Sequence, residues 1–332
     1  MTMRITNGMI SSNFMNNYTN ALNKVTTLQN QLSSGIAVSK PSDDPVKMTR
    51  TLECFSSISQ NDEYQQNAND AVSWMTTSTQ AAQNIATALT TIKGLVSKAT
   101  SVATDSTSLN SIADQINSAI DEIVQLGNTQ TGGRYVFSGQ NDQTQPLTRN
   151  STTGVVTYSG TYDGESGNAT AGTITMQISP GTVDPVRDKI NIDGQELFGK
   201  LGAMDSNITT FTGTLTSSQP QLFADLNQIV ADVKSGNTTA MSNDIGALSN
   251  DSDTVNQAQT SQGAKQTTYQ TMLTLLTSQN TTLQSNLKDN RDLDVAQASI
   301  SFAEATSVYN AALSVGAQVL PKTLVDYIST TG

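Results

Sequence analysis

Histidine is absent from the 332 residues of the sequence, and cysteine occurs once, at Cys54. Without histidine the chain lacks the commonest general base and the commonest zinc ligand, and every catalytic triad built on an imidazole is excluded. One cysteine cannot form an intrachain disulfide, and we interpret Cys54 as a packing residue of a helix rather than as a reactive thiol. We therefore predict a protein that is not an enzyme, and we assign it no metal and no cofactor.

Charged and aromatic residues are also scarce, at 14% and 5% of the chain, and the net charge is −11. No cluster of Lys and Arg is present that could displace counterions from nucleic acid or bind an anionic membrane surface. No apolar run approaches the ~20 residues of a membrane span, and the first 20 residues lack the apolar core of a secretory signal. We expect no nucleic-acid partner, no membrane insertion and, unless another export route reads the chain, a cytoplasmic location.

Helical periodicity is abundant at both ends of the chain. Apolar residues recur three or four apart in residues 5–32, and a heptad seam runs through residues 71–99. A shorter seam follows in residues 109–126, and the pattern returns in residues 222–287 and 292–328. A heptad seam predicts a helix that packs nearly parallel to a partner helix.

The middle of the chain, residues 132–211, is rich in Gly, Thr and Asn. Short alternating runs at residues 134–138, 155–159 and 173–179 are separated by Asp-Gly and Pro-Gly pairs, which predicts β-strands joined by turns. Strands inserted between two helical halves require those halves to meet. The predicted fold is therefore mainly α with a β insert: a long antiparallel helical bundle or coiled coil formed by the N- and C-terminal halves, plus a small β-rich middle domain.

Two acidic motifs are explained by local structure rather than by metal binding. The first is a turn at a helix junction, with Asp44 as the N-cap of a helix that starts at a proline; its residues are Pro41, Ser42, Asp43, Asp44 and Pro45. The second, residues 189–194, hints at a calcium loop, but an EF-hand needs Asp first and Glu twelfth. Here those positions are Lys189 and Lys200, so we interpret the motif as an Asp-Gly turn. The single tryptophan, Trp74, is interpreted as a packing residue.

Both ends of the chain resemble the bacterial flagellin superfamily. The stretches that carry the resemblance are residues 3–7 (Met-Arg-Ile-Thr-Asn), 28–35 (Leu-Gln-Asn-Gln-Leu-Ser-Ser-Gly), 41–45 (Pro-Ser-Asp-Asp-Pro), 301–305 (Ser-Phe-Ala-Glu-Ala), 309–313 (Tyr-Asn-Ala-Ala-Leu) and 320–328 (Leu-Pro-Lys-Thr-Leu-Val-Asp-Tyr-Ile). Within the superfamily, Pro-Ser-Asp-Asp-Pro and the ending Leu-Val-Asp-Tyr-Ile are more similar to hook-associated junction proteins than to filament flagellins, which usually continue Asp-Asp with Ala-Ala-Gly.

The resemblance implies a three-part organisation. Residues 1–42 and 290–332 would form a terminal coiled coil that lines a tube, residues 43–131 and 218–289 a helical bundle, and residues 132–217 an outward-facing β-rich domain. The implied partners are copies of the chain, the adjoining hook-associated protein, flagellin, and an export chaperone at the C-terminal region. Export through the flagellar type III apparatus, without a cleaved signal, would place the protein outside the cell at the hook–filament junction.

The residues expected to carry assembly lie on the apolar faces of the terminal helices. They are Tyr18, Leu22, Val25, Leu28, Leu32, Phe302, Tyr309, Leu313, Leu320, Leu324 and Ile328. Three other readings stay open: filament flagellin, a coiled-coil signalling or adhesion protein, and an enzyme carried in residues 134–211. The second would normally need a membrane anchor, and the third would have to work without histidine.

Overall fold

The computed structural model describes residues 7–101, 105–165, 169–181, 184, 188–208 and 215–319. Long helices dominate it, so the predicted fold class, mainly α with a β insert, is confirmed. The elements in chain order are α1 (Asn7–Ser34), α2 (Pro45–Ser101), α3 (Ser106–Gly127), β1 (Gln130–Thr131), β2 (Arg134–Tyr135), β3 (Leu147–Arg149), β4 (Val156–Tyr158), α4 (Gly194–Phe198), α5 (Gln221–Ser235), α6 (Thr238–Arg291) and α7 (Val295–Val319).

The chain divides into two compact units. The first unit consists of the described residues within Met1–Asn61 and Gln279–Gly332, and the second unit is Asp62–Ser278. Helices α2 and α6 each contribute residues to both. None of the described helices has an apolar stretch long enough to cross a membrane.

In the first unit, α1 and α7 pack side by side in opposite directions. The hydroxyls of Tyr18 and Tyr309 lie 3.1 Å apart, and their ring centroids lie 5.5 Å apart. The Phe14 ring stacks on Tyr18 and packs against the backbone of Gly316, where no side chain intervenes. Since α1 residues of rising number meet α7 residues of falling number, the pair is an antiparallel hairpin, as the helical periodicity predicts.

The segment that follows α1 and the segment that precedes α7 are joined by backbone pairing. Ile36 and Asp292 form an antiparallel bridge. The Ala37 amide donates to the Arg291 carbonyl at 2.8 Å, and the Leu293 amide donates to the Gly35 carbonyl at 3.0 Å. The breaks between α1 and α2 and between α6 and α7 therefore lie side by side.

The predicted heptad seam of α2 forms the core of the second unit. All nine of its members are at most 1% exposed: Ala71, Met75, Ser78, Ala82, Ile85, Leu89, Ile92, Val96 and Ala99. The α3 seam is buried in the same core, and α3 packs against α5. Trp74 is buried at the edge of this core beneath the Arg134 guanidinium, which confirms its packing role. Cys54 is half-buried.

The β insert is less regular than the alternating pattern indicates. Strands β1 and β2 pair antiparallel, as do β3 and β4, with Leu147 opposite Tyr158. The predicted strand at residues 155–159 is confirmed as β4, whereas the one at 134–138 shortens to the two residues of β2. The strand predicted at 173–179 is wrong: it reduces to one bridge, between Thr175 and Lys189.

The segment keeps two backbone bonds to its neighbour, from the Ile190 amide to the Ile174 carbonyl at 2.9 Å and from the Met176 amide to the Asp188 carbonyl at 3.4 Å, and a side chain interrupts the pairing beyond them. The Ile174 amide donates to the Asn191 side-chain oxygen at 2.8 Å instead of to a neighbouring strand. The Asp-Gly pair at 193–194 is also not a simple turn. Asp193 is the N-cap of α4 and forms a capping box with Glu196, so Gly194 is the first residue of a helix.

Candidate functional site: the paired terminal helices

The predicted assembly residues of α1 and α7 divide into two groups. Half-buried in the chain are Tyr18, Val25, Leu28, Leu32, Phe302 and Tyr309. Leu22 and Leu313 instead are exposed. Leu320, Leu324 and Ile328 lie outside the described residues. The α1–α7 contact thus accounts for one apolar face of each helix and leaves other apolar side chains uncovered.

Exposed large apolar side chains concentrate in the first unit. Of the thirteen such residues among those described, eleven belong to it: Met9, Met15, Leu22, Val46, Leu52, Phe55, Val295, Ile300, Val308, Leu313 and Val315. Single exposed apolar residues are normal on a protein surface, but their concentration on one unit makes that unit the candidate interaction surface.

Several of these residues repeat at heptad spacing. Met15 and Leu22 are seven apart on α1, and Val308 and Val315 are seven apart on α7. Each helix therefore carries a short second apolar stripe, defined by Met15 with Leu22 on α1 and by Val308 with Val315 on α7, besides the face that contacts its partner. The sequence analysis assigns one apolar face to each helix and therefore does not include Met15, Val308 and Val315. The second heptad series was the signal that could have found them.

The acidic motif at the start of α2 orders the connection from α1. The Asp43 carboxylate accepts hydrogen bonds from the amides of Ser39 and Lys40, at 3.3 and 3.0 Å. The Asp44 carboxylate accepts from the amides of Val46 and Lys47, both at 3.0 Å. The two carboxylates thus bind different backbone segments, with Asp44 at the N-cap position, rather than converging on one point.

A separate carboxylate group in the second unit has the spacing of a metal site. Ligand oxygens of Asp163, Asp193 and Glu196 lie within 4.8 Å of one another. The Lys189 ammonium lies among them, 2.8 Å from Asp163, 3.3 Å from Asp193 and 2.9 Å from Glu196. The Lys189 ammonium thus supplies the positive charge that a metal ion would supply.

The charge state of this group follows from its surroundings. Burial by itself would lower the pKa of Lys189, but the hydrogen bond to Asp163 and the charges of Asp193 and Glu196 raise it above its usual value. The ammonium therefore stays charged at every physiological pH. We interpret the group as a structural ion cluster.

The chain is similar to known flagellar proteins in sequence. Residues 5–142 match the family model of the bacterial flagellin N-terminal helical region. Flagellar hook-associated protein 3 of Salmonella typhimurium is 25% identical over 146 residues, which cover 44% of this chain and 46% of that protein. The resemblance to the flagellin superfamily is thereby confirmed. The chain spans about half the length of the curated relatives it matches.

Solved structures share the fold. The crystal structure of flagellar hook-associated protein 3 from Legionella pneumophila has a TM-score of 0.56 and 12% identity, and covers 71% of this chain and 97% of that chain. The crystal structure of Bacillus cereus FlgL has a TM-score of 0.52 and 19% identity, and covers 71% of this chain and 99% of that one. At these identities the likeness is one of architecture.

Proposed function

We propose that the chain is a structural subunit of the bacterial flagellum that joins the hook to the filament by self-assembly into the tubular axial structure. The observation that carries the proposal is the uncovered apolar surface of the first unit, on helices that resemble those of flagellin. An apolar stripe on the outside of a two-helix hairpin needs further helices to cover it. Copies of the same hairpin, arranged around a tube, would supply them.

The roles proposed for the parts of the chain follow the three domains that the flagellin resemblance implies. Residues 1–42 and 290–332 would line the tube, residues 43–131 and 218–289 would pack against neighbouring subunits, and residues 132–217 would face outward. The partners would be copies of the chain, the adjoining hook-associated protein and flagellin. An export chaperone would hold the C-terminal region before the type III apparatus carries the chain, with no cleaved signal, to the outside of the cell. The role is structural and needs no catalysis.

The terminal hairpin would be only loosely ordered before assembly. Its two helices cover one stripe of each other, and most stability of a helix in a protein comes from packing rather than from propensity. Amide hydrogen exchange on the soluble monomer tests this point. Weak protection of Asn7–Ser34 and Val295–Val319, rising on assembly, is the expected result. Full protection of both helices in the monomer would contradict it.

Electron microscopy tests the position of the protein. Purified hooks labelled for the chain should carry a thin band between hook and filament. Label along the whole filament would instead favour the second candidate, filament flagellin, to which the match over residues 5–142 applies equally. Gene deletion separates the two as well. Loss of a junction protein leaves hooks that shed flagellin monomers, whereas loss of flagellin leaves hooks that release none.

A point variant tests the surface that carries the proposal. Val308→Asp places a charge in the outward stripe of α7, where burial of a valine would contribute about 1.5 kcal/mol or more per subunit. We expect it to abolish filament attachment in a complemented deletion strain while the isolated protein keeps its helical content. Ser307→Asp, one position along the same exposed helix, is the charge control and should retain attachment. Equal attachment by both variants would refute the role of the stripe.

A further inference from the structure

Five aspartates are buried in the second unit without a basic partner. Each is at most 8% exposed: Asp205, Asp225, Asp232, Asp244 and Asp251. Burying an ionised carboxylate is costly unless it is paired with a cation or fully hydrogen-bonded. No lysine or arginine among the described residues forms an ion pair with any of them. Their presence in a core therefore requires an explanation.

The aspartates form two facing rows. Asp225 and Asp232 are seven apart on α5, and Asp244 and Asp251 are seven apart on α6, so each pair lies on one face of its helix. The connection between the helices is Gly236 and Asn237, with Gly236 in the left-handed conformation (φ 67°) that ends α5. The short connection reverses the chain, and the charges of Asp225 and Asp232 act on Asp244 while that of Asp225 acts on Asp251, so the two rows lie close together.

Asp205 bridges the two rows at the end away from that connection. Its amide donates to both carboxylate oxygens of Asp225, at 3.0 and 3.2 Å. Its own carboxylate accepts from the Asn250 side chain of α6 at 3.0 Å. These bonds place Asp225 near the Asn250–Asp251 turn of α6, which leaves Asp232 near Asp244.

The hydrogen bonding of the cluster is incomplete when every carboxyl is ionised. Asp232 accepts one bond, from Gln228 at 3.1 Å. One carboxyl oxygen of Asp244 and one of Asp251 are buried and have no hydrogen-bond partner among the described residues. An ionised carboxylate can only accept, whereas a protonated carboxyl can also donate to a neighbouring carboxylate. Protons would therefore relieve both the missing bonds and the like-charge contacts.

The electrostatic surroundings agree with this geometry. Burial, followed by the charges of neighbouring aspartates, raises the pKa of Asp244 to about 7 and that of Asp251 to about 8. Burial and the charge of Asp205 raise the pKa of Asp225 to about 7, against the hydrogen bond from the Asp205 amide. Burial also raises the pKa of Asp232 above its usual value.

The cations nearest in the fold are otherwise engaged or exposed. On α2, Lys93 donates to the Ser249 hydroxyl at 2.7 Å. Beside α3, Arg149 pairs with Asp121. On α5, Lys234 is exposed at the end of the helix. None of the three neutralises the cluster.

We propose that the contact between α5, Asp205 and the first half of α6 is a proton-sensitive joint, which packs fully when its carboxyls share protons and loosens when they ionise. The joint belongs to the second unit alone, so it does not depend on the assembly role proposed for the first. A rise in pH would open the α5–α6 contact before the α2 core, which carries no such cluster among its described residues.

The direction of the pH effect follows from linkage. The folded state binds protons more tightly than the unfolded chain, whose aspartates titrate near pH 3.8. The stabilisation is therefore complete below that value and is lost as pH rises towards 7 to 8. Each carboxyl that releases its proton on opening raises the opening constant about tenfold per pH unit in this window.

Hydrogen exchange on the full-length protein, corrected for the intrinsic pH dependence of exchange, tests the proposal. From about pH 5 to about pH 8, protection of Gln221–Ser235 and residues 238–255 should fall at least about tenfold per pH unit, and that of residues 71–99 much less. The double variant Asp244→Asn/Asp251→Asn should flatten this slope and exchange at least tenfold more slowly than wild type at the high-pH end. Asp253→Asn, an exposed change on the same helix, should keep the wild-type slope.

Three results would overturn the proposal. One is protection of α5 in the wild type that does not change with pH. This measurement uses no variant and so does not depend on whether a variant folds. Another is an Asp253→Asn effect as large as that of the double variant. The third is full recovery of wild-type protection at high pH on addition of millimolar calcium, because the carboxyls would then be ligands of a cation rather than holders of protons.

Discussion

Replacing Lys189 by methionine should destabilise the second unit by about 3 kcal/mol. Removing one partner of a buried ion pair typically costs about 3–5 kcal/mol, because the other charge is left buried and unpaired. Asp193 is the partner for which that cost applies, since its side chain is 1% exposed. Asp163 and Glu196 are 30% and 48% exposed, so water can solvate them and their share is small. We therefore expect the lower end of the range.

The pH dependence of this loss distinguishes charge from packing. The raised pKa of Lys189 means that its contribution in the wild type is present below the ordinary lysine value of 10.5 and is lost only above it. The deficit of Lys189→Met should therefore be constant below that value and shrink as pH rises above it, because the wild type then loses its own ammonium. A deficit due to lost packing would not change with pH.

Urea unfolding followed by the fluorescence of Trp74 measures the loss, because the single tryptophan lies in the core of the second unit. Lys200→Met is the matched control: this lysine is exposed, and its removal should change stability by less than about 0.5 kcal/mol. In Lys189→Ala, which leaves room among oxygens within 4.8 Å of one another, calcium should restore part of the stability and have no effect on the wild type. Equal losses of unfolding free energy in Lys189→Met and Lys200→Met would refute the assignment of Lys189 as the partner of a buried carboxylate.

Three further changes probe local geometry. Asp44→Ala removes the N-cap of α2 and should cost about 1 kcal/mol, seen as faster hydrogen exchange in the first helical turn. Gly194→Ala drives a methyl group into the Tyr158 ring, whose hydroxyl is held by the Phe137 carbonyl, and should cost about 1–3 kcal/mol in urea unfolding. Gly94→Ala, in a helix with open space beside it, should instead stabilise by up to about 1 kcal/mol; a loss there would show that the space is not open.

The α2 seam was predictable because the spacing of its apolar residues alone determines which face of the helix is buried. A spacing of four and three residues leaves one helical face apolar, and burial of that face is the largest favourable term available to the chain. The polar member, Ser78, does not disturb the seam, because its hydroxyl donates within the helix to the carbonyls of Trp74 and Met75. The agreement of all nine positions follows from local sequence, without knowledge of the partner helix.

The ion cluster and the buried aspartates could not be predicted in the same way. Lys189 meets Asp163 across 26 residues and an irregular insert, and no local pattern encodes that contact. The seven-residue spacings of Asp225 with Asp232 and of Asp244 with Asp251 are visible in the sequence. However, a charged residue beside an apolar seam normally faces water, and only the return of α6 along α5 buries both rows together. Long-range packing, not local propensity, decides these two features.

The candidate assembly surface was half predictable for a related reason. Periodicity identifies apolar faces but not which molecule covers them. Tyr18 and Tyr309 meet each other within the chain, whereas Leu22 and Leu313, chosen by the same criterion, remain exposed. A hairpin of two helices can cover only one stripe on each, so a helix with two stripes needs partners from outside the hairpin.

The need for partners from outside the hairpin limits how the terminal helices can be stabilised. At 1.5 Å per residue the 28 residues of α1 extend about 42 Å, of which the uncovered stripe from Met15 to Leu22 spans about 10 Å. An uncovered apolar stripe favours association, and a stripe present on every copy would favour association with copies. Because the same contacts would both order the helices and join the subunits, folding of the first unit and assembly would be one process. The second unit has a core of its own and does not share this dependence.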